Sequence, residues 1–123
     1  MNLLNRLFRT KAPQPEDRYI VKMTEEMVSV YHPKWPTGSV NWKDIHTILF
    51  VNTDEGPWLP DVWLTLISDE GKCSIPQGAK GFEDVYDLVS KYEGFNFDNA
   101  TKSMTCTDNA EFLLWSSRGK QNS

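Results

Sequence analysis

Between Ser39 and Gln77 the chain alternates apolar runs with turn signals so closely that antiparallel sheet is the structure it suits. Ile45 to Thr53 is a long run rich in β-branched residues, which pack well on a pleated, half-buried surface. Asp54-Glu55-Gly56-Pro57 breaks it, and Leu59-Pro60-Asp61 extends the break into a loop. Val62 to Ser68 is nearly apolar on both faces, which predicts a central or sandwiched strand. Asp69-Glu70-Gly71-Lys72 then turns the chain into Cys73-Ser74-Ile75, and Pro76, which has no N–H to donate, stops the run. This stretch also holds six carboxylates against two lysines, so its polar surface is acidic.

The flanks extend the pattern. Tyr19 to Met23 and Met27 to His32 read as short strands joined through Thr24-Glu25-Glu26. Residues 33–38, with two prolines and a glycine, form a turn cluster, and Ser39 to Trp42 is a third short strand before a brief turn at Lys43-Asp44. After Gly78 the period changes. Phe82, Val85, Val89 and Tyr92 recur at three- and four-residue spacing with Leu88 beside them, and Gly94 stands where a helix C-terminus favours glycine. The spacing predicts an amphipathic helix of about three turns. Asp98 is expected to cap a shorter second helix ending near Met104 and burying Ala100 and Met104. Thr107-Asp108-Asn109 is a turn, and Glu111 to Trp115 reads as a final strand. The fold expected is α+β: a mainly antiparallel sheet closing on an amphipathic helix, with a second short helix and a final strand.

At 123 residues and 39% hydrophobic composition the chain makes one domain with a core of useful size. Residues 1–17 form an amphipathic segment and a proline-rich linker, 18–116 the globular domain, and 117–123 a polar tail. Cys73 and Cys106 lie 33 apart without a metal-binding spacing, and read as reduced, buried thiols. The N-terminus has no continuous apolar core of a secretory signal, so a cytoplasmic location is expected. Residues 1–11 carry Arg6, Arg9 and Lys11 with no acid, a local +3, and with a total of −4 the other 112 residues carry −7. Phosphate-backbone binding needs clustered cations, so nucleic acid is a poor partner for such a body.

The step Trp42-Lys43-Asp44-Ile45, then a strand, a hairpin, Ile75-Pro76 and an amphipathic helix, resembles the bacterial pleckstrin-homology-like (PH-like) domains. In those domains a tryptophan–x–aspartate–isoleucine step turns one barrel strand into the next, and an isoleucine–proline step precedes the closing helix. The resemblance covers residues 18–94 and implies a partly open PH-like barrel closed by that helix. Thr53-Asp54-Glu55-Gly56-Pro57, Asp61-Val62-Trp63, Ile75-Pro76-Gln77-Gly78-Ala79, Gly94-Phe95 and Asn109-Ala110-x-Phe112 also look like a family of small uncharacterised bacterial proteins, which implies a fold and a host type but no activity. A PH-like barrel ordinarily ends at its capping helix, whereas here a second helix and a strand follow. On physical grounds Trp42 suits plugging the end of a small barrel, and Asp44 is placed to accept backbone N–H groups at the turn.

Two segments are candidate binding sites. Asp54, Glu55 and Asp61 share one loop with Trp58, a large apolar residue to leave in water without a use. The loop lacks the alternating oxygens and distal glutamate of a calcium loop, so a protein-contacting surface, best suited to a basic partner, is the reading preferred over a metal site. In the N-terminal segment Leu3, Leu4, Leu7 and Phe8 fall on one helical face, fit for docking on the domain itself, on a partner or on an anionic membrane surface. His32 and His46 lack a matched nucleophile or zinc motif, and Gly71, Gly78 and Gly81 do not form a phosphate cradle. Neither a cofactor, a metal nor a catalytic residue is expected. The function expected is a non-catalytic binding module that contacts another protein through its acidic loop, one version being an immunity or antitoxin-type inhibitor of a basic toxin. The alternative is a peripheral membrane-associated module held by its N-terminal segment.

Overall fold

The computed structural model describes residues 19–34, 38–53, 62–106 and 108–117. Three strands, β1 (Ile20–Met23), β2 (Met27–Tyr31) and β3 (Gly38–Asn41), form an antiparallel meander. Thr24 closes its first turn, its Oγ1 accepting from the N–H groups of Glu26 and Met27 at 3.1 and 3.0 Å. A short 3-10 turn, Trp42–Asp44, then carries the chain into a second sheet of β4 (Ile45–Asn52), β5 (Val62–Ser68), β6 (Gly71–Pro76) and β7 (Ala110–Ser116), ordered β6-β5-β4-β7 and antiparallel throughout. Helices α1 (Phe82–Val89) and α2 (Phe97–Thr105) stand between β6 and β7.

The class is therefore α+β and mainly strand, as expected, with β5 in the interior of its sheet. The sheets are not closed into a barrel, and the reason lies in β4. Both of its edges are occupied, by β5 on one side and by β7 on the other, so it has no edge left for β3. The final strand thus takes the edge of β4 that a pairing with β3 would need. The sheets meet by close approach instead: a Cβ at Gly38 would run into the carbonyl oxygen of Lys72 on β6.

The core lies where β2, β3, the inner face of the second sheet and α1 converge. Val28, Ile48, Phe50, Leu64, Leu66, Ile75, Val85 and Val89 are fully buried there. Phe50 is stacked by Phe82 and Tyr86 of α1 at 6.4 and 5.8 Å between centroids, with interplanar angles of 13° and 7°. β1 is fastened to the start of α1, since Val21 N–H donates to Lys80 O at 2.9 Å and Lys80 N–H to Tyr19 O at 3.0 Å. Gly81 makes that fastening possible, with φ +95 and Val21 Cβ only 3.1 Å from where its own Cβ would lie.

Several local expectations are corrected. The first helix ends at Val89, and the chain tightens into i→i+3 bonds, Lys91 N–H to Leu88 O and Tyr92 N–H to Val89 O, which bring Tyr92 against the Trp115 ring at 5.1 Å. The second helix is capped by Asn96, whose side chain accepts from Asn99 N–H, and not by Asp98. Its buried face consequently carries Ala100 and Ser103, while Met104 is 39% exposed. Ser103 Oγ–H donates to Asn52 Oδ1 at 2.5 Å, and Asn52 Nδ2 donates to the carbonyls of Ser103 and Cys106 at 2.8 and 3.3 Å, so α2 is keyed to β4 by a buried polar pair. Trp42 is half-buried and its indole N–H donates to Thr24 O at 2.8 Å, which anchors the 3-10 turn to the first hairpin. Asp44 accepts from the side-chain amide of Asn41 at 3.2 Å and not from the backbone N–H expected.

The approach of β3 to β6 can be measured. Gly38→Ala is expected to lower stability by about 1–3 kcal/mol, because the obstructing group is backbone and cannot rotate away. Gly71→Ala, with nothing within 4 Å of its added methyl, serves as the control. Urea midpoints report both, and equal shifts would show that the two sheets yield at this contact.

Candidate functional site

Alternation along a strand sends every second side chain to the face away from Phe50. On β4 these are Thr47, Leu49 and Val51, and register places Leu49 between Thr65 of β5 and Leu113 of β7, and Val51 between Trp63 and Glu111. Ile67 stands beside Thr47. Leu49, Val51 and Ile67 are half-buried and Leu113 is 46% exposed, and the core cluster includes none of the four. The polar residues between them are small: Thr65 Oγ1 and Ser74 Oγ share a hydrogen bond at 3.2 Å. α1 and α2 lie against the opposite face through Phe50 and Asn52, whereas Tyr19, at the entry to β1, reaches round to Trp63 on this one. The outer face of the second sheet thus carries a patch of Leu49, Val51, Ile67 and Leu113 outside the core cluster, next to a part where Thr65 and Pro76 are buried and Trp63 packs against the core.

A bulge in β7 sharpens the contrast. Leu49 pairs with Leu113 and Ile48 with Trp115, which makes Leu114 the extra residue. Leu114 is fully buried beside an exposed Leu113. The outward edge of β7 is tied to α2, because Leu114 O accepts from Asn96 N–H at 2.7 Å and Leu113 O from Asn99 Nδ2 at 2.8 Å. Such bonds blunt an edge strand against pairing with another chain.

The expected site residues stand in a definite relation to this face. Asp54, Glu55, Trp58 and Asp61 lie outside the described residues, in the connection between β4 and β5 that leaves the sheet next to Val51 and Trp63. Leu3, Leu4, Leu7 and Phe8 also lie outside them. The described chain begins at Tyr19, whose buried ring stands edge-on to Trp63 at 5.5 Å and beside His32 at 4.4 Å. His32 Nδ1 accepts Lys34 N–H at 2.9 Å, which assigns it the role of a neutral core imidazole.

Sequence reasoning missed the surroundings of His46. A second bulge, between Ile45 and Thr47 opposite β5, makes it the extra residue of β4. Its Nδ1 meets Thr47 Oγ1 at 2.8 Å and its Nε2 meets Asp69 Oδ1 at 3.2 Å. Hydroxyl, imidazole and carboxylate stand in series, but the Asp69 side chain is 92% exposed, so water competes for it and the pair is a surface contact. No signal short of the strand register brings Asp69 to His46. An open cleft of about 460 Å³ lies between Glu25, Glu26, Asn41, Trp42 and Lys43, where carboxylates and an ammonium share one rim. Among the described residues no group of three or more histidine, cysteine or acidic side chains is placed to hold a metal ion.

Both cysteines are free thiols, with Cys73 buried as expected. Cys106 departs from expectation: it is only partly buried, its Sγ 3.6 Å from Asp108 O. Burial pushes the Cys73 thiol up to about 12, against a smaller opposing effect of the Val30 backbone. Among the described residues no helix is long and apolar enough to cross a membrane. Comparisons with protein-family models, with curated proteins and with solved structures find no match to this chain.

The two thiols are expected to separate in reactivity, since the thiolate is the nucleophile and Cys73 holds almost none at pH 8. An aromatic disulfide reagent should modify one thiol per chain under native conditions and two in denaturant. Cys106→Ser should remove the native reaction entirely; a reaction that persists would place Cys73 within reach of solvent.

Proposed function

We propose that this chain is a non-catalytic binding module, built in the PH-like manner, that contacts another protein through the acidic loop Asp54–Asp61 and the adjoining outer face of its four-stranded sheet. The observation that carries this reading is the apolar stripe of Leu49, Val51, Ile67 and Leu113, which takes no part in the core cluster and runs towards the Asn52–Val62 end of the sheet, where the chain leaves for residues 54–61. Apolar side chains gathered on one face of a small domain, with charge at the rim, have the anatomy of an interaction surface. The −7 carried by residues 12–123 favours a basic partner and raises its rate of encounter. An immunity or antitoxin-type inhibitor is the specific version that this chemistry suits, and a cytoplasmic setting agrees with its free thiols.

Support for the PH-like architecture comes from three places. The Trp42–Asp44 turn converts β3 into β4, the Ile75-Pro76 step precedes α1, and α1 lies over the sheet at Phe50. The strand after the helices is where this chain departs from that plan.

Asp54→Lys combined with Glu55→Lys should abolish capture of a purified basic partner while circular dichroism and melting temperature stay unchanged. Leu113→Glu should weaken the same capture about tenfold or more, corresponding to about 1.4 kcal/mol. Capture unaffected by either variant would remove both loop and face from the interface.

A further inference from the structure

We propose that the open cleft between the β1–β2 turn and the Trp42–Asp44 turn binds a guanidinium group, laid over the ring of Trp42 and paired with the carboxylates of Glu25 and Glu26. The cleft has a volume of about 460 Å³ and is lined by these three residues with Asn41 and Lys43. Small-molecule sites occupy about 300–1,000 Å³, so the space suits a long side chain or a small free molecule.

The walls are formed before any ligand arrives. Trp42 has every polar atom engaged: its backbone N–H donates to Glu26 O at 3.0 Å, its indole N–H donates to Thr24 O at 2.8 Å, and its carbonyl accepts from Ile45 N–H. What it offers the cleft is therefore an apolar ring held in one orientation. The facing turn is fixed as well, because Thr24 Oγ1 accepts from the N–H groups of Glu26 and Met27, and Thr24 N–H donates to Met27 O at 2.8 Å. Asn41 is held by its side-chain amide, which donates to Asp44 at 3.2 Å. Binding to walls already ordered costs little conformational entropy on the protein side.

Charge names the occupant. Glu25 and Glu26 are exposed, and among the described residues neither carboxylate enters an ion pair. Lys43 sets one positive charge against their two negative ones, and its long stem lets the ammonium turn to water. An aromatic face beside carboxylates is the combination that recognises an organic cation. A guanidinium suits it better than an ammonium, being planar, able to stack on the ring, fitted to carboxylates by paired N–H donors and more weakly hydrated. Two sources carry that chemistry: an arginine side chain of another protein, and a free guanidinium compound. The cleft lies at the Ile45–Ser68 end of the sheet, whereas residues 54–61 leave at the Asn52–Val62 end, so this site does not rest on the reading above.

The test titrates the full chain with Nα-acetyl-arginine amide. Shifts of the Trp42 indole N–H and of the amide N–H groups of Glu25, Glu26 and Lys43 should saturate with a Kd of about 1 mM. Nα-acetyl-citrulline amide, of the same shape without the charge, should bind about tenfold more weakly or worse. Glu25→Gln with Glu26→Gln should weaken the arginine compound by a similar factor at an unchanged melting temperature. Free arginine distinguishes the sources, since it adds a carboxylate for Lys43. Tighter binding of free arginine, lost in Lys43→Gln, upholds the site as one for a free molecule; binding of the capped compound at least as tight upholds it as one for a protein side chain. Shifts that do not saturate, equal binding of the citrulline compound, or indifference to the double glutamine variant would each overturn the proposal. No readout involves the partner, so failure of capture at the loop leaves the result intact.

Discussion

Phe50 lies between the rings of α1 and the interior of the sheet, and the side on which that contact forms decides where every other layer is placed. Phe82 and Tyr86 cover it in parallel stacks, and Phe95 meets Tyr86 edge-on at 5.9 Å. Full burial of a side chain of this size is worth about 1.5–3 kcal/mol relative to exposure. The fastening of β1 to Lys80 joins the first sheet to the entry of α1, and the Asn52–Ser103 pair brings α2 onto the same face. Three layers therefore share one side of the second sheet. On the opposite side Trp63 packs against Tyr19, and Leu49, Val51, Ile67 and Leu113 stay outside the core cluster.

That division explains which parts of the fold were legible beforehand. Strands and the first helix follow from local periodicity, and β4, β5 and β7 appear close to where their apolar runs predict them. Periodicity is silent on which face is covered when a strand is apolar on both, as Val62 to Ser68 is. It is silent too on Gly38, whose role comes from the approach of Lys72, a residue 34 positions away. Asp98 was the cap expected for α2, and Asn96 takes that place. Asn96 prevails because its N–H donates to Leu114 O and because Phe97 stands edge-on to Phe95 at 4.8 Å, contacts that fix the start of the helix two residues earlier than sequence suggests. The shift then exchanges Met104 for Ser103 on the buried face.

The candidate sites were legible to a different degree. Acidity at Asp54, Glu55 and Asp61 is a property of composition, and the pairing of β4 with β5 shows only that the connection carrying them joins the strands at the Asn52–Val62 end. The face itself was hidden, because it is assembled from one residue in two on strands distant in sequence. His46 illustrates the same limit. Its neighbours Thr47 and Asp69 meet it only because a bulge turns the imidazole towards the β5–β6 turn. A strand without that bulge would send His46 and Thr47 to opposite faces.

An apolar sheet face in water constrains what can cover it. Leu49 and Leu113 are directly paired, Val51 is the next residue of that face along β4, and Ile67 lies diagonally across from Leu49 on β5, so their side chains form a broad ridge and not a pit. A ridge is matched by another layer, a helix or a second sheet about 10 Å away, better than by a small molecule that requires concavity. The outward edge of β7 is already bonded to α2, which disfavours extension of the sheet by an added strand. Face-on packing of an amphipathic element is what remains, and its polar side must be compatible with carboxylates at the margin. A basic amphipathic element of a partner, as proposed above, would meet both conditions.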